Sequence, residues 1–299
     1  MNTAAKLSAY GVALALVAGG AWAAGTAVGP LTSTAAGPST GTAGAPGEEE
    51  AGHGDTHSGT VAEAEQIDQP EGLASSRGGY TLAPTHTTLT PGTTNDFSFQ
   101  ITGPDGAAVT HFEVEHEKRM HLIVVRRDSA GFQHVHPEMA ADGTWTVPLT
   151  LAEPGSYRVF ADFVPSGGDA MTLGTDVAVP GEFQPAAYEP SRVARVDGYE
   201  VRLDGELVAG RTSQLDLTIT KDGREVTDLQ PYLGAAGHLV ALRSGDLAYL
   251  HVHPGEAGTS GPTITFYAEV PSAATYRLFL DFQHEGTVRT AEFTVEGQQ

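Results

Sequence analysis

Apolar and polar positions alternate along most of the chain beyond residue 78. In "DFSFQIT", Asp96–Thr102, the apolar residues Phe97, Phe99 and Ile101 fall on one face. "GTWTVPLTL" (143–151) and "TITFYAEV" (263–270) alternate in the same way. A period of two is the pattern of a half-buried strand. "HLIVV" (121–125) and "HLVAL" (238–242) are instead continuous apolar runs, which predicts strands buried on both faces. "PDG" (104–106) and "KDG" (221–223) read as turns. "PGSYRVFADF" (154–163) reads as a turn followed by a strand with an early tyrosine, as at the corner of a sandwich. No segment carries a helical period.

These runs occur twice. "GGYTLAP" (78–84) matches "DGYEVRL" (197–203), and "PDGAAVT" (104–110) matches "KDGREVT" (221–227). "MHLIVVRRDSAGFQHVHP" (120–137) matches "GHLVALRSGDLAYLHVHP" (237–254), and "YRVFADF" (157–163) matches "YRLFLDF" (276–282). The offset stays between 117 and 119, so the copies are two folds of one kind. About seven short strands in about 100 residues predict an all-β protein with two tandem Ig-like β-sandwich domains. Their expected bounds are 78–180 and 195–299, joined by a proline-rich linker, 181–194.

The N-terminal residues 1–29 differ in kind. From Leu7 to Val28 there is no charge, over a length that spans a bilayer as a helix. The same stretch, with Ala21-Trp22-Ala23 as a cleavage site, also reads as a signal peptide. Either reading puts the rest of the chain outside the cytoplasm, because Lys6 stays inside. The expected location is the cell membrane, single-pass, with secretion if the segment is cleaved. Residues 30–77 are rich in Ala, Gly, Thr and Pro and carry eight acids against Arg77, which predicts a disordered acidic tether. His53 and His57 lie in it and read as solvated residues. The net charge of −21 excludes nucleic acid as a partner. The absence of cysteine excludes disulfides and thiolate metal sites.

The chemistry is carried by histidine. Each copy has an HVHP motif, His134 and His136 in one and His251 and His253 in the other, with a further histidine thirteen residues before it, His121 and His238. Residues i and i+2 of a strand share a face. A hairpin turning at Asp128-Ser129 sets His121 opposite His136, and one turning at Gly245-Asp246 sets His238 opposite His253. Facing residues of an antiparallel pair have Cβ atoms about 4.5–5.5 Å apart. Each copy is thus expected to gather three imidazoles, a donor set for Zn²⁺, Cu²⁺ or Ni²⁺. Asp162 and Asp281 are candidates for a fourth ligand or for a carboxylate that orients a ring, and His116 for a supporting role. Met120 and Met139 adjoin the first set, and every methionine but the initiator lies in the first copy. Thioethers suit Cu(I), which favours copper over zinc as the cofactor. The competing reading is that the histidines are structural and that Pro137 and Pro254 simply end a strand.

A Cys-free exported sandwich bearing His and Met, with its "PGSYRVFADF" corner, resembles the YtkA-like and copper-resistance periplasmic Ig-like proteins over residues 78–179 and 197–295. That resemblance implies copper sequestration or delivery, with a membrane metal transporter or a cuproprotein as partner. "FQHVHP" also looks like the His-x-His strand of copper–zinc superoxide dismutases, but their later zinc ligands and disulfide are missing. A cupin would need a glutamate at a spacing that Glu138 and Glu256 do not keep. The reading of the sequence is therefore a non-enzymatic, exported metal-binding protein. The alternative is a cell-surface structural or interaction sandwich, and a metal-dependent enzyme of dismutase-like or cupin-like type is a lesser one.

Overall fold

The alternating runs become strands whose inward side chains meet in two separate cores, one per repeat. The computed structural model describes residues 70–255 and 261–299. The expected anchor or signal, residues 1–29, and the tether to residue 69, with His53 and His57, lie outside the described residues. No helix among the described residues is long and apolar enough to cross a membrane.

In the first domain the strands are β1 (Ser76–Arg77), β2 (Tyr80–Pro84), β3 (Thr94–Thr102), β4 (His121–Arg126), β5 (Gln133–Val135), β6 (Glu138–Met139), β7 (Trp145–Thr150), β8 (Gly155–Phe163) and β9 (Met171–Val179). They form two sheets, ordered β1-β2-β3-β7-β6 and β5-β4-β8-β9. Phe97, Phe99, Ile101 and Trp145 of one sheet pack on Leu122, Val124, Val159 and Leu173 of the other.

The second domain repeats this with β10 (Val193–Val196), β11 (Tyr199–Asp204), β12 (Arg211–Lys221), β13 (Arg224–Glu225), β14 (Gly237–Arg243), β15 (Val252–Pro254), β16 (Thr263–Val270), β17 (Thr275–His284) and β18 (Thr287–Glu296). Its sheets run β10-β11-β12-β16-β15 and β14-β17-β18. Both domains are Ig-like sandwiches. The early tyrosine closes the corner in each, Tyr157 donating to the Glu153 carbonyl at 2.8 Å and Tyr276 to that of Ser272 at 2.7 Å.

The two sandwiches dock through equivalent faces. Every residue of β4 is buried, because one side faces its own core and the other faces the second domain. Ile123, Val125 and Phe160 meet Val240, Leu242, Leu247 and Phe279 there. Burying a side chain of this size stabilises by about 1.5–3 kcal/mol. The contacts are reciprocal. Phe132 stacks on Phe279 at 4.0 Å, and their repeat partners Tyr249 and Phe160 lie 5.5 Å apart. The seam therefore has an approximate two-fold relation between unequal halves.

A strap from the tether crosses the seam. The Tyr249 N–H donates to the Glu71 carbonyl at 3.0 Å, and the Gly72 N–H to that of Thr172 at 2.9 Å. Gly72 has φ +71°, and a Cβ there would lie 2.5 Å from the Phe160 ring, so only glycine fits.

Candidate metal centre

The first hairpin keeps the expected register. Leu122 faces Val135 and Ile123 faces His134, which puts His121 across from His136. The turn falls at Asp128-Ser129, with Ser129 at φ 70°. His121, His134 and His136 then share the face that meets the second domain, beside Ile123 and Val125. One ring nitrogen from each lies within 4.8 Å of the others.

Their outer hydrogen bonds set which nitrogens point inward. His121 donates from Nε2 to the Glu115 carbonyl at 3.1 Å. His134 donates from Nδ1 to Asp281 Oδ2 at 2.8 Å. These partners only accept, so they assign the tautomers. The inner nitrogens, His121 Nδ1 and His134 Nε2, stand 3.1 Å apart, with His136 Nε2 at 3.2 Å from His121 Nδ1. Metal–nitrogen bonds of 2.0–2.1 Å at tetrahedral angles place ligating nitrogens about 3.3–3.4 Å apart. In the neutral state two lone pairs oppose each other here, an arrangement that a cation or a proton between them relieves.

Two of the rings, His121 and His136, are held neutral. Burial, then the neighbouring His134, pushes His121 down to about 3. Burial, then His134 and His121, pushes His136 down to about 3. Neutral imidazole is the form that ligates a metal.

The second copy behaves differently. Its hairpin starts in the expected register, with Leu242 bridging Tyr249 around Gly245-Asp246. After Leu250 the chain leaves β14 and crosses to the other sheet, where Val252 pairs with Ala268 and His253 with Tyr267. In the first copy the same crossing comes three residues later in the repeat, when Glu138 pairs with Thr146. His251 and His253 are exposed, with rings 4.1 Å apart, and His238 does not join them. The expected second trio is thus not assembled. His238 lies instead against the first copy, its ring 6.0 Å from both His121 and His134 and 4.8 Å from His116.

The methionines also depart from expectation. Met120 is buried in the sandwich core and Met139 packs against it. Neighbours in a strand point to opposite faces, so a His121 that faces the seam sends Met120 inward. Both thioethers belong to the core rather than to the histidine cluster, and the reason to prefer copper over zinc goes with them.

The two aspartates exchange domains. Asp281, expected to support the second copy, orients His134 of the first across the seam and also accepts from Thr290 at 2.6 Å. Asp162 accepts from Thr172 at 3.1 Å and sits near His251 of the second copy. Desolvation in the seam pushes Asp162 up to about 6. Asp162, His121, His251 and His253 all border one cavity of about 380 Å³ between the domains. The pairing of Asp281 with His134 of the other domain follows from face-to-face docking, which no spacing within a repeat reveals.

Residues 75–181 and 194–299 each match the profile of a domain of unknown function, DUF8832. The chain belongs to that family. The tandem repeat is thereby shown, and a YtkA-like or copper-resistance kinship is not. No curated protein matches the chain. Among solved structures, it is similar to the Escherichia coli adhesin FdeC, with 14% identity over 75% of this chain and 65% of that one, at a TM-score of 0.25. The Yersinia pseudotuberculosis adhesin InvE gives 12% identity over 73% and 58%, at 0.24. Tandem Ig domains of titin give 14% over 73% and 96%, at 0.19. The chain spans less than two thirds of the length of either adhesin. Nothing about function follows from likenesses this low.

Proposed function

We propose that the chain is a non-enzymatic, surface-exposed pair of Ig-like sandwiches whose seam holds a divalent transition-metal ion on His121, His134 and His136. The observation that carries the metal reading is the opposition of two ring lone pairs at 3.1 Å, each ring turned inward by an outer acceptor. A carboxylate or carbonyl behind a ligating imidazole fixes its tautomer and raises its basicity. Three imidazoles without sulfur suit Zn²⁺, Cu²⁺ or Ni²⁺. The uncharged segment Leu7–Val28 supports a place outside the cytoplasm.

A second reading keeps the surface module and drops the metal. Its support is the His134–Asp281 contact, with side chains 4% exposed on both partners, which ties the two domains together. A proton on His134 Nε2 would then serve the opposed nitrogens, and the trio would be a structural staple. The structural-histidine alternative drawn from the sequence is of this kind.

Calorimetric titration of the metal-free chain with Zn²⁺, Cu²⁺ and Ni²⁺ separates the readings. The metal reading expects one equivalent bound more tightly than micromolar, lost when His134 and His136 are both alanine. No binding tighter than micromolar leaves the staple.

A further inference from the structure

Resting on that metal reading, we infer that His238 of the second domain supplies the fourth ligand, so that the metal clamps the two sandwiches across their seam. In a tetrahedral centre with metal–nitrogen bonds of 2.0–2.1 Å, imidazole centroids lie about 5.2 Å apart. The trio meets this, with centroids at 5.3, 5.0 and 4.8 Å. His238 stands at 6.0 Å from both His121 and His134, about 0.8 Å beyond that spacing, so it must close toward the trio to join the sphere.

Its tautomer is already the right one. His238 is the repeat partner of His121, and its Nε2 faces the Leu233 carbonyl as that of His121 faces the Glu115 carbonyl. Nδ1 of each is then the nitrogen with the free lone pair. The outer bond of His238 is long, at 3.4 Å, and so leaves the ring freer to move than its counterpart.

Asp281 makes the arrangement reciprocal. It pairs with His238 across the β14–β17 ladder, and its carboxylate orients His134 of the first domain. One domain would give three nitrogens, and the other the fourth nitrogen and the orienting carboxylate. Four protein ligands close the sphere to water, which is the mark of a structural site rather than a catalytic or readily exchanging one. Such a centre suits holding the domains together more than passing a metal on.

The test uses the full chain loaded with Co²⁺ and then Zn²⁺, in the native form and as His238→Ala and His238→Gln. The expected native spectrum is the intense visible absorption of four-coordinate, water-free Co²⁺. Both variants should lose at least about tenfold in Zn²⁺ affinity and admit water at the Co²⁺ centre, while far-ultraviolet dichroism stays native. Zn²⁺ should raise the Tm of the native chain more than that of either variant. Unchanged affinity and spectrum in His238→Gln overturn the clamp but leave the three-histidine site standing. Failure of the native chain to bind metal overturns both. A loss produced by His116→Ala and not by His238→Gln assigns the fourth position to His116 and overturns the proposal.

Discussion

The two repeats carry the same three histidines and the same aspartate, yet only the first gathers its trio. In the first, β5 stays on β4 through Val135, and His134 and His136 remain over the seam. In the second, the chain crosses to β16 three residues earlier in the repeat, and His251 and His253 turn toward solvent. A shared motif therefore fixes which residues are available, while the point at which a strand changes sheets fixes which of them meet. The orphan of the second trio, His238, is drawn to the first.

The largest contrast concerns metal. Replacing His134 and His136 by alanine should lower metal affinity about 100-fold or more, as expected when ligands are removed. Replacing His251 and His253 should change it less than about threefold. Equal losses in the two double variants, read by calorimetry, would erase the distinction between the copies.

Acid should unfold the metal-free chain through the first-copy cluster. His121 and His136 are held down to about 3, and His238 to about 4, the last by burial and then by His116 and His134. Unfolded histidines take up protons below about 6.5. Between that pH and about 4 the unfolded state binds more protons, so stability falls as pH falls, by up to about 1.4 kcal/mol per pH unit for each ring. Asp162 works the other way: held up to about 6, it makes the folded state the better proton binder between about 6 and 3.8. One carboxyl opposes three imidazoles, so the net effect is a loss of stability toward pH 4.5. Denaturant midpoints that stay flat from pH 7 to 4.5 would contradict the neutral cluster.

Phe279→Ala should cost about 3–5 kcal/mol, since its ring is fully buried and stacked on Phe132. Phe160→Ala, its counterpart, should cost a similar amount if the seam is as reciprocal as its contacts. Chemical denaturation of both variants compares the halves directly.

The aspartates should not be equal. Asp281→Asn weakens a buried hydrogen bond to His134 and should cost about 1–3 kcal/mol, whereas Asp162→Asn faces an exposed His251 and should cost less. A larger loss for Asp162→Asn would reverse the assignment of the supporting carboxylate. The smallest effect is expected for His253→Ala, within about 0.5 kcal/mol, as for other exposed positions.

Much of this was legible in the chain. Alternation at Phe97, Phe99 and Ile101 gave one buried face, and the unbroken run of His121–Val125 foretold a strand covered on both sides. The repeat offset predicted two like domains, and an even hairpin at Asp128-Ser129 predicted the first trio. The methionines misled because softness was read from proximity in sequence, whereas Met120 and His121 necessarily point to opposite faces. The second trio misled because identical spacing says nothing about where a strand leaves its partner.

The sequence by itself determined the strands, their buried faces, the duplication and the turn that brings His121 to His136, since each follows from local periodicity and chain reversal. Only the tertiary structure decided that the two sandwiches meet through β4–β8 and β14–β17. That docking is a match of two whole surfaces, and it alone brings Asp281 to His134 and His238 to the edge of the first trio.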